Sequence, residues 1–129
     1  MNATLSISDH AEFRSVVKDA DLAAFNGVVV HAVCSTFALA RDFEWTSRQI
    51  LLKILKPDEE GVGTVVHVDH VAPAFLGEEI TFNATLIHWD HHDMTCLVEA
   101  TVGKRVIATG ITGQKLLKKK KLAKLFRQK

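Results

Sequence analysis

The hydrophobic pattern of the chain changes period once, near its middle. Between residues 37 and 55 the positions Phe37, Ala40, Phe43, Ile50, Leu51, Ile54 and Leu55 fall on one side of a wheel turning about 100° per residue, and Arg41, Asp42, Arg48, Gln49 and Lys53 on the other. Ser35 or Thr36 offers an N-cap and Pro57 a stop, so the spacing predicts one helix running to about Leu55. Beyond a linker over 57–63 the period shortens to two. Residues 63–71 are β-branched and partly alternating. Over 78–89, Ile80, Phe82, Ala84 and Leu86 share one face and Thr81, Asn83 and Thr85 the other. A turn at 90–93, a strand over 94–102, a tight turn at Gly103-Lys104 and a strand over 105–112 complete the run. Upstream signals are weaker: an edge strand over 4–7, a short helical turn over 18–27 closed by Asn26-Gly27, and a brief strand over 28–30. One long helix ahead of consecutive antiparallel strands predicts an α+β fold with the helix laid on one face of a sheet.

A chain of 129 residues has room for one packed domain. No apolar run approaches the ~20 residues that span a bilayer, and MNATLSISDH lacks the basic and apolar segments of a signal peptide, so a cytoplasmic protein is expected. Cys34 and Cys96 have neither metal-site nor disulfide spacing. The overall charge of +1 conceals an asymmetry. Residues 115–129, KLLKKKKLAKLFRQK, carry eight basic side chains and no acidic one, which leaves the first 114 residues with eight basic against fifteen acidic, a net −7. We therefore divide the chain into a body over 1–114 and a basic helix or tail over 115–129. The tail is either a solvated terminal helix or a contact for an anionic partner.

Glu44 interrupts the helical stripe, between the directions of Leu51 and Leu55. An unpaired carboxylate against an apolar sheet is costly and has a raised pKa, which suits a general base or nucleophile. The competing reading is a glutamate at the stripe's edge, paired with Arg41 or Arg48. His70, near the end of the 63–71 strand, is either a proton shuttle facing a cleft or a hydrogen-bonded surface histidine. Thr36 and Cys34 stand at the helix start, where free amides favour a developing oxyanion and a thiol is activated; a buried cysteine is the plainer reading of Cys34. His88-Trp89-Asp90-His91-His92-Asp93 lies at one hairpin turn without metal-site spacing and reads as a solvated turn, so no metal is expected.

Three blocks together resemble a known family: STFALARDFEW with Thr36 and Glu44-Trp45, GVGTVVHVDHVAP with Gly63 and His70, and ATGITGQ in the last strand. The chain is similar, over roughly residues 1–117, to single-domain hotdog-fold thioesterases of the fluoroacetyl-CoA thioesterase branch. That branch carries a Thr/Glu/His set at the offsets of Thr36, Glu44 and His70. The resemblance implies a long central helix wrapped by a curved antiparallel sheet, a homodimer or higher assembly with sites near the interface, and hydrolysis of an acyl-CoA to acid and CoA. It implies Glu44 as base or nucleophile, His70 as proton shuttle, Thr36 as a hydrogen-bonding partner and the Gly63 amide as an oxyanion donor. No cofactor beyond the substrate's coenzyme A, no nucleic acid and no membrane span are implied. Gln114 occupies the place of a basic substrate contact in the family, and Gly27 and Val30 stand where the fluoroacetyl enzyme has phenylalanines, so the likeness does not extend to that acyl pocket. A non-catalytic acyl-CoA or acyl-carrier binding module on the same fold is the alternative, and a hydratase or dehydratase a weaker one. In one straight helix, Thr36 and Glu44 stand about 12 Å apart along the axis. Thr36 must then precede the helix, the chain must bend, or one of the two residues must come from a partner subunit.

Overall fold

A computed structural model describes residues 4–127. Five strands form one antiparallel sheet in the order β1-β5-β6-β7-β4, built from β1 (His10–Val16), β4 (Glu59–His70), β5 (Glu79–Trp89), β6 (Asp93–Val102) and β7 (Arg105–Lys118). The long helix α1 (Thr36–Leu52) lies across its inner face. A small hairpin of β2 (Leu22–Phe25) and β3 (Val28–Cys34) precedes α1, and a short helix α2 (Lys119–Arg127) follows β7. This is the hotdog arrangement, a helix enclosed by a curved antiparallel sheet.

The alternation in the second half produces the core. Ile80, Phe82, Ala84 and Leu86 of β5, with Met94, Cys96, Val98 and Ala100 of β6, turn inward and are buried. Phe43 of α1 meets Phe82 edge-on, with ring centroids 6.1 Å apart. Two polar side chains on the buried face of the helix and one on the facing strand β7 are hydrogen-bonded. Thr46 donates to the Asp42 carbonyl at 2.6 Å, Ser47 donates to the Phe43 carbonyl at 2.9 Å, and Thr112 of β7 donates to the Ser47 hydroxyl at 2.6 Å.

The strand expected over 28–30 is the start of β3, and the other upstream expectations are corrected. The edge strand is His10–Val16, not residues 4–7, and it pairs with β5 from His10↔Thr85 to Val16↔Glu79. Only Ala11 and Phe13 give its inner face an apolar signal. Residues 18–27 hold one 3-10 turn and then β2, because Asn26 and Gly27 both take positive φ (53° and 78°) and close a two-residue hairpin onto β3. Ser35, not Thr36, is the N-cap; its hydroxyl accepts from the Ala38 amide. The helix ends at Leu52, and β4 begins within the expected linker, at Glu59. β7 extends to Lys118, so the first four residues of the basic segment pair with β4.

The predicted helical stripe also splits. The buried face is Ala38, Leu39, Asp42, Phe43, Thr46, Ser47, Ile50 and Leu51. Phe37 is 80% exposed, and with Ala40 and Glu44 it belongs to a second face, turned toward β4.

Candidate functional site

α1 and β4 build the site together. The residue before the helix, Ser35, caps it through the Ala38 amide, and its own amide is held by the Asp21 carbonyl at 2.8 Å. Thr36 is thus the first helical residue, among the amides that a helix start leaves free of intrahelical partners. β4 runs back beside the helix and ends at His70, whose Nδ1 lies 2.9 Å from the Thr36 Oγ1. With the proton on Nε2, the threonine hydroxyl donates to Nδ1; with it on Nδ1, the direction reverses. Either way Thr36 occupies Nδ1, and Nε2 is the nitrogen left to exchange a proton with a ligand.

Glu44 lies two turns along the helix, over Gly63 of β4. A Cβ built on Gly63 would sit 2.8 Å from the Glu44 Oε1, so glycine is what lets the carboxylate lie this close to the strand. Glu44 walls two adjoining cavities. One, of about 390 Å³, is lined by Phe37, Ala40, Arg41 and Val66; the other, of about 220 Å³, by Arg41, Trp45, Arg48, Gly63 and Gln114. Glu44 is exposed in the single chain, not buried against the sheet. Neither arginine pairs with it. Arg41 binds Asp42 and the buried Asp21, each at 3.0–3.1 Å, and Arg48 binds Glu60 at 2.8 Å. The Asp42 hydrogen bonds, followed by burial and by the Asp21 bond, set the guanidinium of Arg41, with a net upward shift of its pKa. Gln114 is 5% exposed, and its Nε2 has no hydrogen-bond partner among the described residues.

The Thr36–His70 pair is thus assembled, and Glu44, Gly63 and Gln114 share a cavity. The two groups are separate within one chain: His70 lines neither Glu44 cavity, and Thr36 is eight helical residues from Glu44. Because Thr36 is itself helical, it does not reach Glu44 by preceding the helix. Cys34 is buried, and burial first, then the Asp21 and Asp42 charges, pushes its thiol up to about 11, the reverse of activation. His88 and Asp90 pair at 3.5 Å on the hairpin. Among the described residues no group of three or more His, Cys, Asp or Glu is placed to hold a metal ion. Sequence reasoning missed Arg41 as a wall of both cavities. Its spacing three residues before Glu44 was visible, but the buried Asp21 that fixes it is 20 residues away, with no local signal.

Comparison with known proteins follows this geometry. No curated protein sequence matches the chain. A Thermus thermophilus hypothetical protein of the thioesterase superfamily superposes with a TM-score of 0.92 at 29% identity, covering 96% of this chain and 92% of that one. The fluoroacetyl-CoA thioesterase FlK superposes at 0.89 with 20% identity, over 98% of both chains. A FlK mutant solved in complex with acetyl-CoA superposes at 0.87 with 19% identity, over 96% of this chain and 98% of that one. The FlK family, described as fluoroacetyl-CoA-specific thioesterase, matches residues 17–120. That span takes in the hairpin, the helix, β4 and the whole of β7, and the chain belongs to the fluoroacetyl-CoA-specific thioesterase family.

Proposed function

We propose that the protein hydrolyses the thioester of a small or medium acyl-CoA, in the cytoplasm, at a site completed by a second copy of the chain. The observation that carries the reading is the 2.9 Å contact between Thr36 Oγ1 and His70 Nδ1. It joins a helix start to a strand end and leaves one imidazole nitrogen for proton transfer. Glu44 is the base that activates water, or the nucleophile, against the thioester carbonyl. The Gly63 amide donates to the carbonyl oxygen as charge develops. Gln114 supplies a hydrogen bond to the substrate from its unpartnered amide. Thr36 orients the imidazole, and His70 passes the proton to the leaving thiolate. The acetyl-CoA complex of a FlK mutant supports a coenzyme A ester as the ligand class.

The role of a second copy rests on register. β4 is an edge of the sheet, with Val65 and Val66 exposed along it. Two β4 edges pairing antiparallel about a two-fold axis between Val66 and His67 would set His70 of the partner subunit opposite Gly63, beside Glu44. That arrangement would bring the separate halves together and cover an edge that an isolated monomer leaves open.

Thiol release over acyl-CoAs of graded length and polarity tests the activity, with Glu44→Ala and His70→Ala expected to lose it by orders of magnitude. Mixing these two inactive variants tests the shared site, because random exchange into dimers restores about a quarter of the activity when each site draws on both chains. Saturable CoA-ester binding without thiol release across the panel would favour the binding-module alternative instead.

A further inference from the structure

We infer that α2 is a peripheral anchor that lays the protein on an anionic lipid surface. The helix contains no buried residue. Turning 100° per residue, Leu125, Leu122, Phe126 and Ala123 fall within one arc, which only Lys119 at the tethered start of the helix enters, and Lys120, Lys121, Lys124 and Arg127 occupy the opposite side. The apolar arc is not folded back onto the sheet, since Phe126 is 74% exposed and Leu125 is 44% exposed. The helix is tethered at its beginning, where the Lys119 amide donates to the Asp58 carbonyl at 2.8 Å, and it follows directly from β7, which the rest of the sheet holds in place.

Charge and apolar surface point to the same occupant. The four cationic residues of the polar arc have no acidic neighbour on their own helix, while the first 114 residues carry a net −7. An anionic bilayer repels that body and attracts this segment, so the contact is confined to α2. A site for free phosphate groups, including those of coenzyme A, would need the lysines but has no use for exposed Leu125 and Phe126. A headgroup surface over acyl chains takes both, with the apolar arc entering the boundary and the lysines flanking it. At nine residues the helix lies on the surface and does not cross it.

The test is co-sedimentation of the full chain with vesicles of phosphatidylcholine alone or with about a third phosphatidylglycerol, at low and high salt. Binding is expected only to the anionic vesicles and to weaken with salt. Lys120→Glu/Lys121→Glu/Lys124→Glu is expected to weaken it by about a hundredfold or more. Leu125→Asp/Phe126→Asp is expected to abolish it, and a matched variant with both residues changed to Lys, which raises the positive charge, is expected to bind weakly as well. Neither change touches a buried residue, and an unchanged unfolding temperature confirms an intact body. Equal binding to neutral vesicles, no binding to anionic vesicles at low salt, or full binding by the Lys-substituted variant would overturn the inference. So would loss of self-association, with no change in vesicle binding, when residues 119–129 are removed, since α2 would then cover a second copy of the chain.

Discussion

Thr36 Oγ1 and His70 Nδ1 stand 2.9 Å apart, joining residues 34 positions apart in sequence. One is the first residue of a helix and the other the last of a strand, so helix and sheet must dock in register for the pair to exist. If the threonine orients the imidazole, its hydroxyl matters and its methyl does not. Thr36→Ser should retain most acyl-CoA hydrolysis, whereas Thr36→Val should lower kcat by about 10- to 100-fold. His70→Ala should lower it by about 10²- to 10⁴-fold, the usual worth of a positioned acid–base group. Steady-state thiol release on the three variants checks the order; equal activity of Ser and Val variants would remove the threonine from the mechanism.

The approach of Glu44 to Gly63 makes a separate prediction. A methyl group at position 63 would meet the carboxylate at 2.8 Å, and the atom it meets is the end of a flexible side chain. The carboxylate therefore swings aside at little cost to the fold. Gly63→Ala should change unfolding free energy by less than about 1 kcal/mol while reducing kcat by about tenfold or more. Urea unfolding and turnover measured on the same preparation separate the two effects.

A buried hydroxyl chain ties α1 to β7. Thr112 donates to Ser47, and Ser47 donates to the Phe43 carbonyl. Thr112→Val preserves the shape and removes the donor, leaving the serine oxygen without it. The expected loss is about 1–2 kcal/mol, seen as a lower urea midpoint at unchanged slope. Activity toward saturating substrate should persist, because the chain lies inside the core.

The two cysteines set an alkaline limit. Burial raises both thiols from 9.0 to about 11, with the Asp21 and Asp42 charges adding to the shift at Cys34. A folded-state pKa above the unfolded value contributes stability below the unfolded pKa and loses it as pH rises. Stability should therefore fall between about pH 9 and pH 11, by on the order of 2 kcal/mol per thiol. A Cys34→Ala/Cys96→Ala variant should show a flatter decline in a pH series of urea midpoints. The same burial keeps Cys34 unreactive to iodoacetamide at pH 7, and Cys34→Ala should hydrolyse thioesters normally.

Much of the fold was legible because periodicity is local. The alternation of Ile80, Phe82, Ala84 and Leu86 predicted β5 and its buried face, and Gly103 takes the positive φ of the expected hairpin. β1 was missed because an edge strand needs few apolar residues to hold its place, and β2 because Leu22-Ala23-Ala24-Phe25 suits a helix as well as a strand until Asn26-Gly27 closes the hairpin. The offsets of Thr36, Glu44 and His70 were equally visible, as spacing alone.

The sequence by itself determined the long helix and the consecutive strands of the second half, which faces of those strands are apolar, and that a carboxylate stands out of place on the helix. Only the tertiary structure decided what each helix face meets. A wheel assigns Glu44 a direction but no neighbour, and α1 has two occupied sides: one sinks Phe43 and Ile50 into the core, and the other places Glu44 over Gly63. Tertiary contacts likewise gave Arg41 to Asp21 and Asp42, and so left Glu44 without an ion pair among the described residues. The reason is physical: periodicity records which way a side chain points, whereas pairing depends on strands and turns distant in sequence that bring the second surface to it.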